Sequence, residues 1–260
     1  MKRVHKKGHK KKRIIKKRFV VPAIIFALCL VAISVAFIFD AYRTTVKGPI
    51  ISPISTQATT TTKEILHGDT SKKEVIFTFD GGGSIESGNQ ILAVLAKHHI
   101  KGTFFLTGKM IESNPDLVKK IASGGHEIFN HTYDHQDLTT LSGDQIIAEF
   151  KKMDNLLQTT VGFSSRPYFR APYGARDLQV LKVAANNGYQ SVYWSVDALD
   201  WKETQGETAN QVKARILSSV APGVIYLMHV GDTITGTILD EVFTTIESRG
   251  YKIVSLTQGL

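Results

Sequence analysis

The stretch EVIFTFDGGGSIESGNQILAVLAKHHIKGTFFL, residues 74–106, decides the fold. Val75–Phe79 is a short apolar run rich in β-branched and aromatic residues and reads as a strand. Ile91–Lys97 carries a helical pattern, and Thr103–Leu106 reads as a second strand. A helix between two strands is the crossover that joins parallel neighbours in one sheet. The alternation runs on to the C-terminus. Leu117–Ala122 reads as the next helix, and Glu127–Phe129, Tyr168–Phe169, Ser191–Val196, Val224–Met228 and Lys252–Val254 as later strands. Helices near 142–161, 175–187, 209–219 and 236–248 separate them. Seven strands with intervening helices predict an α/β fold with a parallel sheet, either open and doubly wound or closed as a barrel. No internal repeat is evident.

Upstream, residues 40–73 are polar and Thr-rich, with Pro49, Pro53 and the run Thr59 to Thr62, and read as a linker. Before it, residues 19–39 form 21 positions without a charge. At about 1.5 Å per helical residue this crosses a roughly 30 Å hydrocarbon core. Residues 1–18 hold eleven Lys and Arg and no acid. The positive-inside bias keeps that basic tail cytoplasmic and sends everything after Asp40 outside. The expectation is a single-pass membrane protein with an N-terminal transmembrane helix and an extracytoplasmic domain at 74–260. A cleaved signal peptide is the rival, but its apolar core runs to about 7–15 residues.

The tail also accounts for the charge. The chain is formally +9, and without residues 1–18 the balance is about −2. A nucleic-acid protein would carry its basic surface on the folded domain, so that class is excluded. The single cysteine, Cys29, lies inside the apolar span, so the exported domain has no disulfide of its own.

Polar residues gather directly after the strands: Asp80, His131 with His135, Arg170, Asp197 with Asp200, and His229. In barrels of this kind the site lies at the C-terminal ends of the strands, so these clusters converge on one rim. His131 and His135, four apart, present two imidazoles to one metal ion if the segment is helical or turn-like. Taken alone, that spacing more often marks surface or capping histidines.

The segments Phe77-Thr78-Phe79-Asp80-Gly81, His131-Thr132-Tyr133-Asp134-His135, Arg170-Ala171-Pro172-Tyr173-Gly174, Asp197-Ala198-Leu199-Asp200-Trp201 and Leu227-Met228-His229 closely resemble, in this order, the five motifs of the polysaccharide deacetylase family. This is the NodB-homology domain, carbohydrate esterase family 4, and the resemblance covers roughly residues 74–256. It implies a deformed (β/α) barrel and a metal-dependent hydrolase that frees acetate from an N-acetylated glycan of the peptidoglycan type. It further implies Asp80 as general base towards a metal-bound water, Arg170 as the partner that keeps it ionised, and His229 as general acid with Asp200 behind it. The Tyr173 amide would face the oxyanion, and Tyr173, Trp201 and Leu227 would contact substrate. The implied cofactor is a divalent ion, zinc first, with cobalt or another divalent ion as alternatives.

The family's first motif has a second aspartate as metal ligand, and here that position is Gly81. Three outcomes stay open: His131 and His135 hold the metal with Asp80, another carboxylate such as Asp134 or Glu86 enters, or metal affinity falls. The rival functions are an O-acetyl esterase and a non-catalytic glycan-binding relic. Asp197 opens the fourth motif and is read as open to a purely structural role, satisfying nearby backbone donors, His126 as a packing residue or a hydrogen-bonding support behind the site, and His98 and His99 as structural.

Overall fold

In the computed structural model, which describes residues 62–260, eight strands form one sheet. They are β1 (Glu74–Gly81), β2 (Thr103–Leu106), β3 (Glu127–Asn130), β4 (Tyr168–Phe169), β5 (Gln190–Ser191), β6 (Val196–Asp197), β7 (Ile225–His229) and β8 (Lys252–Val254). The order is β5-β4-β3-β2-β1-β7-β6, with β8 also on β1, and every pairing is parallel. Eight helices among the described residues supply the connections: α1 (Gly88–Lys97), α2 (Gly108–Ser113), α3 (Pro115–Ser123), α4 (Gly143–Val161), α5 (Leu178–Asn186), α6 (Ala209–Ser218), α7 (Thr233–Ser248) and α8 (Leu256–Gly259).

β1 is the centre of the sheet and is buried from Val75 onward, as a strand covered on both faces must be. Phe77 stacks on Tyr226 at 4.6 Å and meets Phe243 edge-on at 4.8 Å, while Phe79 packs on Phe104 at 5.2 Å. The long helix α4 opens with a capping box between Ser142 and Gln145 and ends at left-handed Gly162. Its boundaries differ by one residue from the reading at 142–161.

Ser191–Val196, read as one strand, is two. Gln190–Ser191 pairs with β4, and Val196–Asp197 pairs with β7 at the other edge of the sheet. The chain bends between them because Tyr193 and Trp194 leave both ladders: the Tyr193 amide donates to the Ile65 carbonyl, and the two rings stack 3.9 Å apart. This short segment links the two edges, so the sheet curls into a half-barrel consistent with the barrel expectation.

The end of the linker is bound to the domain. Ile65 bridges Val192, the Gly68 amide donates to Gly223, and the Asp69 amide donates to Gly259. Among the described residues no helix is long and apolar enough to cross a membrane. The tail at 1–18, the span at 19–39 with Cys29, and the linker as far as 61 lie outside the described residues.

Candidate active site

The strand ends assemble a cleft of about 430 Å³ that includes Asp80, His131, His135, Tyr173, Trp201, Leu227 and His229 in its walls. Two of the residues read from sequence, Arg170 and Asp200, do not line it. Each lies buried behind a cleft residue and holds it.

Arg170, 1% exposed, is the larger of these supports. Its Nη1 donates to Asp80 Oδ1 at 2.7 Å and to Thr78 Oγ1 at 2.8 Å. Nε and Nη2 donate to the carbonyls of Val192 and Tyr193 at 3.2 and 3.1 Å. The guanidinium also lies 4.2 Å from the centre of the Phe105 ring. With its donors so engaged, the fork fixes the Asp80 carboxylate in one orientation. Thr78 is itself anchored, donating to the Tyr226 carbonyl at 2.6 Å.

The opposite support is Asp200, fully buried at the start of a 3₁₀ turn, Asp200–Gln205. Oδ1 accepts from His229 Nδ1 at 2.9 Å and from the Trp201 amide at 3.1 Å. Oδ2 accepts from the His229 amide at 2.7 Å and from the Thr235 hydroxyl. Burial alone would pull the imidazole's proton affinity down. The Asp200 hydrogen bond, with the charges of Asp200, Asp80 and Asp232, overcomes it and holds His229 at about 9. The ring therefore carries a proton at neutral pH.

The histidine pair stands on a loop after β3, with Thr132 and His135 both in left-handed backbone, rather than on a helix. Two buried side chains fix that loop. Asn130 accepts from the Thr132 amide through its side chain, and Glu149 Oε2 accepts from the amides of Tyr133 and Asp134 at 2.9 and 2.8 Å. His131 donates through Nδ1 to the Arg170 carbonyl at 2.8 Å, so Nε2 keeps its lone pair, 3.5 Å from Asp80 Oδ2. Burial drives His131 down and takes His135 to about 4. Both rings are therefore neutral, the form that ligates a cation.

Two neutral imidazoles and one carboxylate fit a divalent ion of the zinc type in kind. They are less closely gathered than Asp200, His229 and Asp232, the one trio among the described residues whose ligand atoms all lie within 4.8 Å. That trio is a proton-holding arrangement: the four acceptor positions of Asp200 are already taken by N–H and O–H donors. Position 81 supplies no ligand, and its space is filled. A Cβ placed on Gly81 would run into Met110 Sδ and come within 2.8 Å of Leu106 Cδ2.

Tyr173 lies on the 3₁₀ turn Pro172–Gly174, with φ +58° and a ring 72% exposed that meets His135 edge-on at 4.7 Å. Trp201 is 40% exposed, and its indole donates to Asp197 Oδ2 at 3.3 Å. Asp197 Oδ1 accepts from the Leu199 amide, so this residue orients a wall of the cleft. His126 is a packing residue: Nδ1 accepts from the Gly102 amide at 3.1 Å, the ring meets Phe104 edge-on, and burial, then Lys101, takes it to about 4. Sequence reasoning missed Glu149 and Trp194. The signal for Glu149 was present, since it shares a helix face with Ile146, Phe150 and Met153.

Residues 67–192 match the polysaccharide deacetylase family. The peptidoglycan-N-acetylmuramic acid deacetylase PdaA of Bacillus subtilis is 34% identical over 73% of this chain and 72% of its own. Its structure, a family 4 carbohydrate esterase, superposes with a TM-score of 0.73 over 76% of this chain and 85% of that one, at 33% identity. A peptidoglycan-N-acetylglucosamine deacetylase of Bacillus cereus is 35% identical over 73% of this chain and 69% of its own. A family 4 pseudoenzyme of Bacillus anthracis superposes with a TM-score of 0.72 at 30% identity, over 76% of this chain and 69% of that one.

Proposed function

Because this chain belongs to the polysaccharide deacetylase family, we propose that its cleft hydrolyses the acetamide of N-acetylhexosamine units in peptidoglycan, releasing acetate and leaving a free amine on the glycan. One observation carries the reading. Asp80 and His229 are register partners on adjacent strands, β1 and β7, and each is backed by its own buried partner of opposite charge.

The two sides of the cleft divide the proton work. Asp80, oriented by Arg170, accepts a proton from the attacking water. His229, held protonated by Asp200, gives a proton to the departing amine. The Tyr173 amide faces the developing oxyanion, and Trp201 and Leu227 wall the acetyl methyl. His131, His135 and Asp80 would hold a divalent ion, zinc first, which when bound polarises the carbonyl and lowers the pKa of water. As a ligand Asp80 would have less freedom as a base, and the Arg170 fork would be what keeps its carboxylate oriented for both tasks. We place the domain outside the cell on a single-pass anchor, on the strength of the charge asymmetry across residues 1–39.

Gly81 favours a second reading. With Met110 and Leu106 packed where a side chain would stand, the protein would bind acetylated glycan without turning it over. The family 4 pseudoenzyme among its structural neighbours shows that the family includes pseudoenzymes. Acetate release by the full chain, assayed in parallel on N-acetylated and O-acetylated oligosaccharides and on peptidoglycan, separates the readings. N-acetyl turnover supports the proposal, release from O-acetyl substrates alone makes it an esterase, and binding without release supports the second reading.

A further inference from the structure

We infer that Glu64 and Arg176 form a positioning clamp that sets the Tyr173–Gly174 wall of the cleft, making the strap at residues 63–68 part of the glycan-handling apparatus. The inference rests on the reading of that cleft as the reaction site. Arg176 reaches three segments at once. Its Nε donates to Glu64 Oε1 at 2.7 Å, its Nη1 donates to the Gly174 carbonyl at 3.0 Å, and its guanidinium lies 3.6 Å from the centre of the Tyr193 ring. The far end of the pair is fixed as well, since Glu64 Oε1 accepts from Ser191 Oγ at 2.9 Å.

The turn it grips needs holding. Tyr173 and Gly174 are consecutive left-handed residues, φ +58° and +65°, and a side chain of any size is costly in that region. Below them Tyr193 stacks on Trp194, which lines the cleft, and a Cβ on Gly174 would fall 2.7 Å from Trp194 Cη2. The same connecting segment offers the carbonyls of Val192 and Tyr193 to Arg170. One ion pair therefore ties the strap, the turn and the aromatic floor together. Exposed pairs contribute little, but these side chains are only 21% and 20% exposed, and the fork is used on two faces.

The test uses the full chain with Arg176→Ala, Arg176→Lys and Glu64→Gln. A first arm reads kcat and KM on an N-acetylglucosamine tetramer, with thermal melting to report the folded fraction. A second arm places the same changes in a Trp201→Phe background. Trp194 is then the sole tryptophan of a chain that has two, and acrylamide quenching reads its shielding. The clamp predicts a kcat loss of about tenfold for Arg176→Ala with a smaller change in KM, partial retention in Arg176→Lys, and greater quenching of Trp194. It also predicts that Glu64→Gln adds nothing once Arg176 is alanine. Unchanged quenching in Arg176→Ala and Glu64→Gln would overturn it, as would greater quenching with kcat held within twofold. If the unsubstituted chain releases no acetate, the functional reading fails, while the quenching arm still decides whether the clamp exists.

Discussion

Asp80 and Arg170 meet at 2.7 Å with both side chains almost wholly enclosed, 7% and 1% exposed. A buried pair of this kind is costly to break from one side, because the survivor keeps its charge without a partner. The two partners fail differently. Asp80→Asn removes the proton acceptor but keeps an oxygen for Arg170, whose contacts to Thr78, Val192 and Tyr193 persist. Turnover is expected to vanish with the fold retained, and the melting temperature to fall because Arg170 loses its anionic partner, though by less than in Arg170→Ala. Arg170→Ala is expected to cost about 3–5 kcal/mol in denaturant titration and to lose activity along with stability.

His229 and Asp200 set the alkaline limb of the reaction. With the imidazole held at about 9, the proton donor is present through neutral pH and is lost as pH rises through about 9. Asp200→Asn removes the largest raising cause and should move that limb towards the ordinary histidine value near 6.5, a span of about 2.5 pH units or roughly 300-fold in proton concentration. NMR titration of His229 checks it. The stability linkage has the same sign: a raised folded-state value contributes fully below about 6.5 and is lost by about 9.

The histidine loop depends on Glu149, which accepts from two consecutive loop amides. Glu149→Ala leaves those donors buried without a partner, at about 1–3 kcal/mol. Metal content and acetate release should fall together, with helix α4 intact by circular dichroism.

How far the sequence reveals this architecture depends on where each signal comes from. Strand ends are legible because an apolar run stops where the chain reaches the rim, so Asp80, Arg170 and His229 stand as the first acidic or basic residues there, and His131 follows directly on Asn130 at the end of β3. The break at Tyr193 is hidden, since the β-branched and aromatic residues of Ser191–Val196 read as one strand while its partners change from β4 to β7. The strap is hidden for the opposite reason: its attachment is largely through backbone groups, as at Ile65 and Gly68, which composition does not record. The placing of Arg170 and Asp200 behind the cleft, rather than in its wall, is likewise a property of packing.

Gly81 is the position at which packing and chemistry compete. Gly81→Asp puts a Cβ where Met110 Sδ and Leu106 Cδ2 already stand. Overpacking of this sort costs about 1–3 kcal/mol. The single substitution should destabilise the chain with little gain in metal affinity, and Gly81→Asp with Met110→Ala should recover stability and bind metal more tightly. Calorimetry of both variants measures the two effects side by side.

Metal content and acetate release, measured together on the purified full chain with an N-acetylated glycan, before and after stripping and resupply with zinc or cobalt, decide whether the cleft is a metal-dependent deacetylase. The expected result is close to one ion per chain and acetate release that disappears with the metal and returns with it. A folded chain that binds the glycan yet holds no ion and frees no acetate at any metal concentration would contradict it.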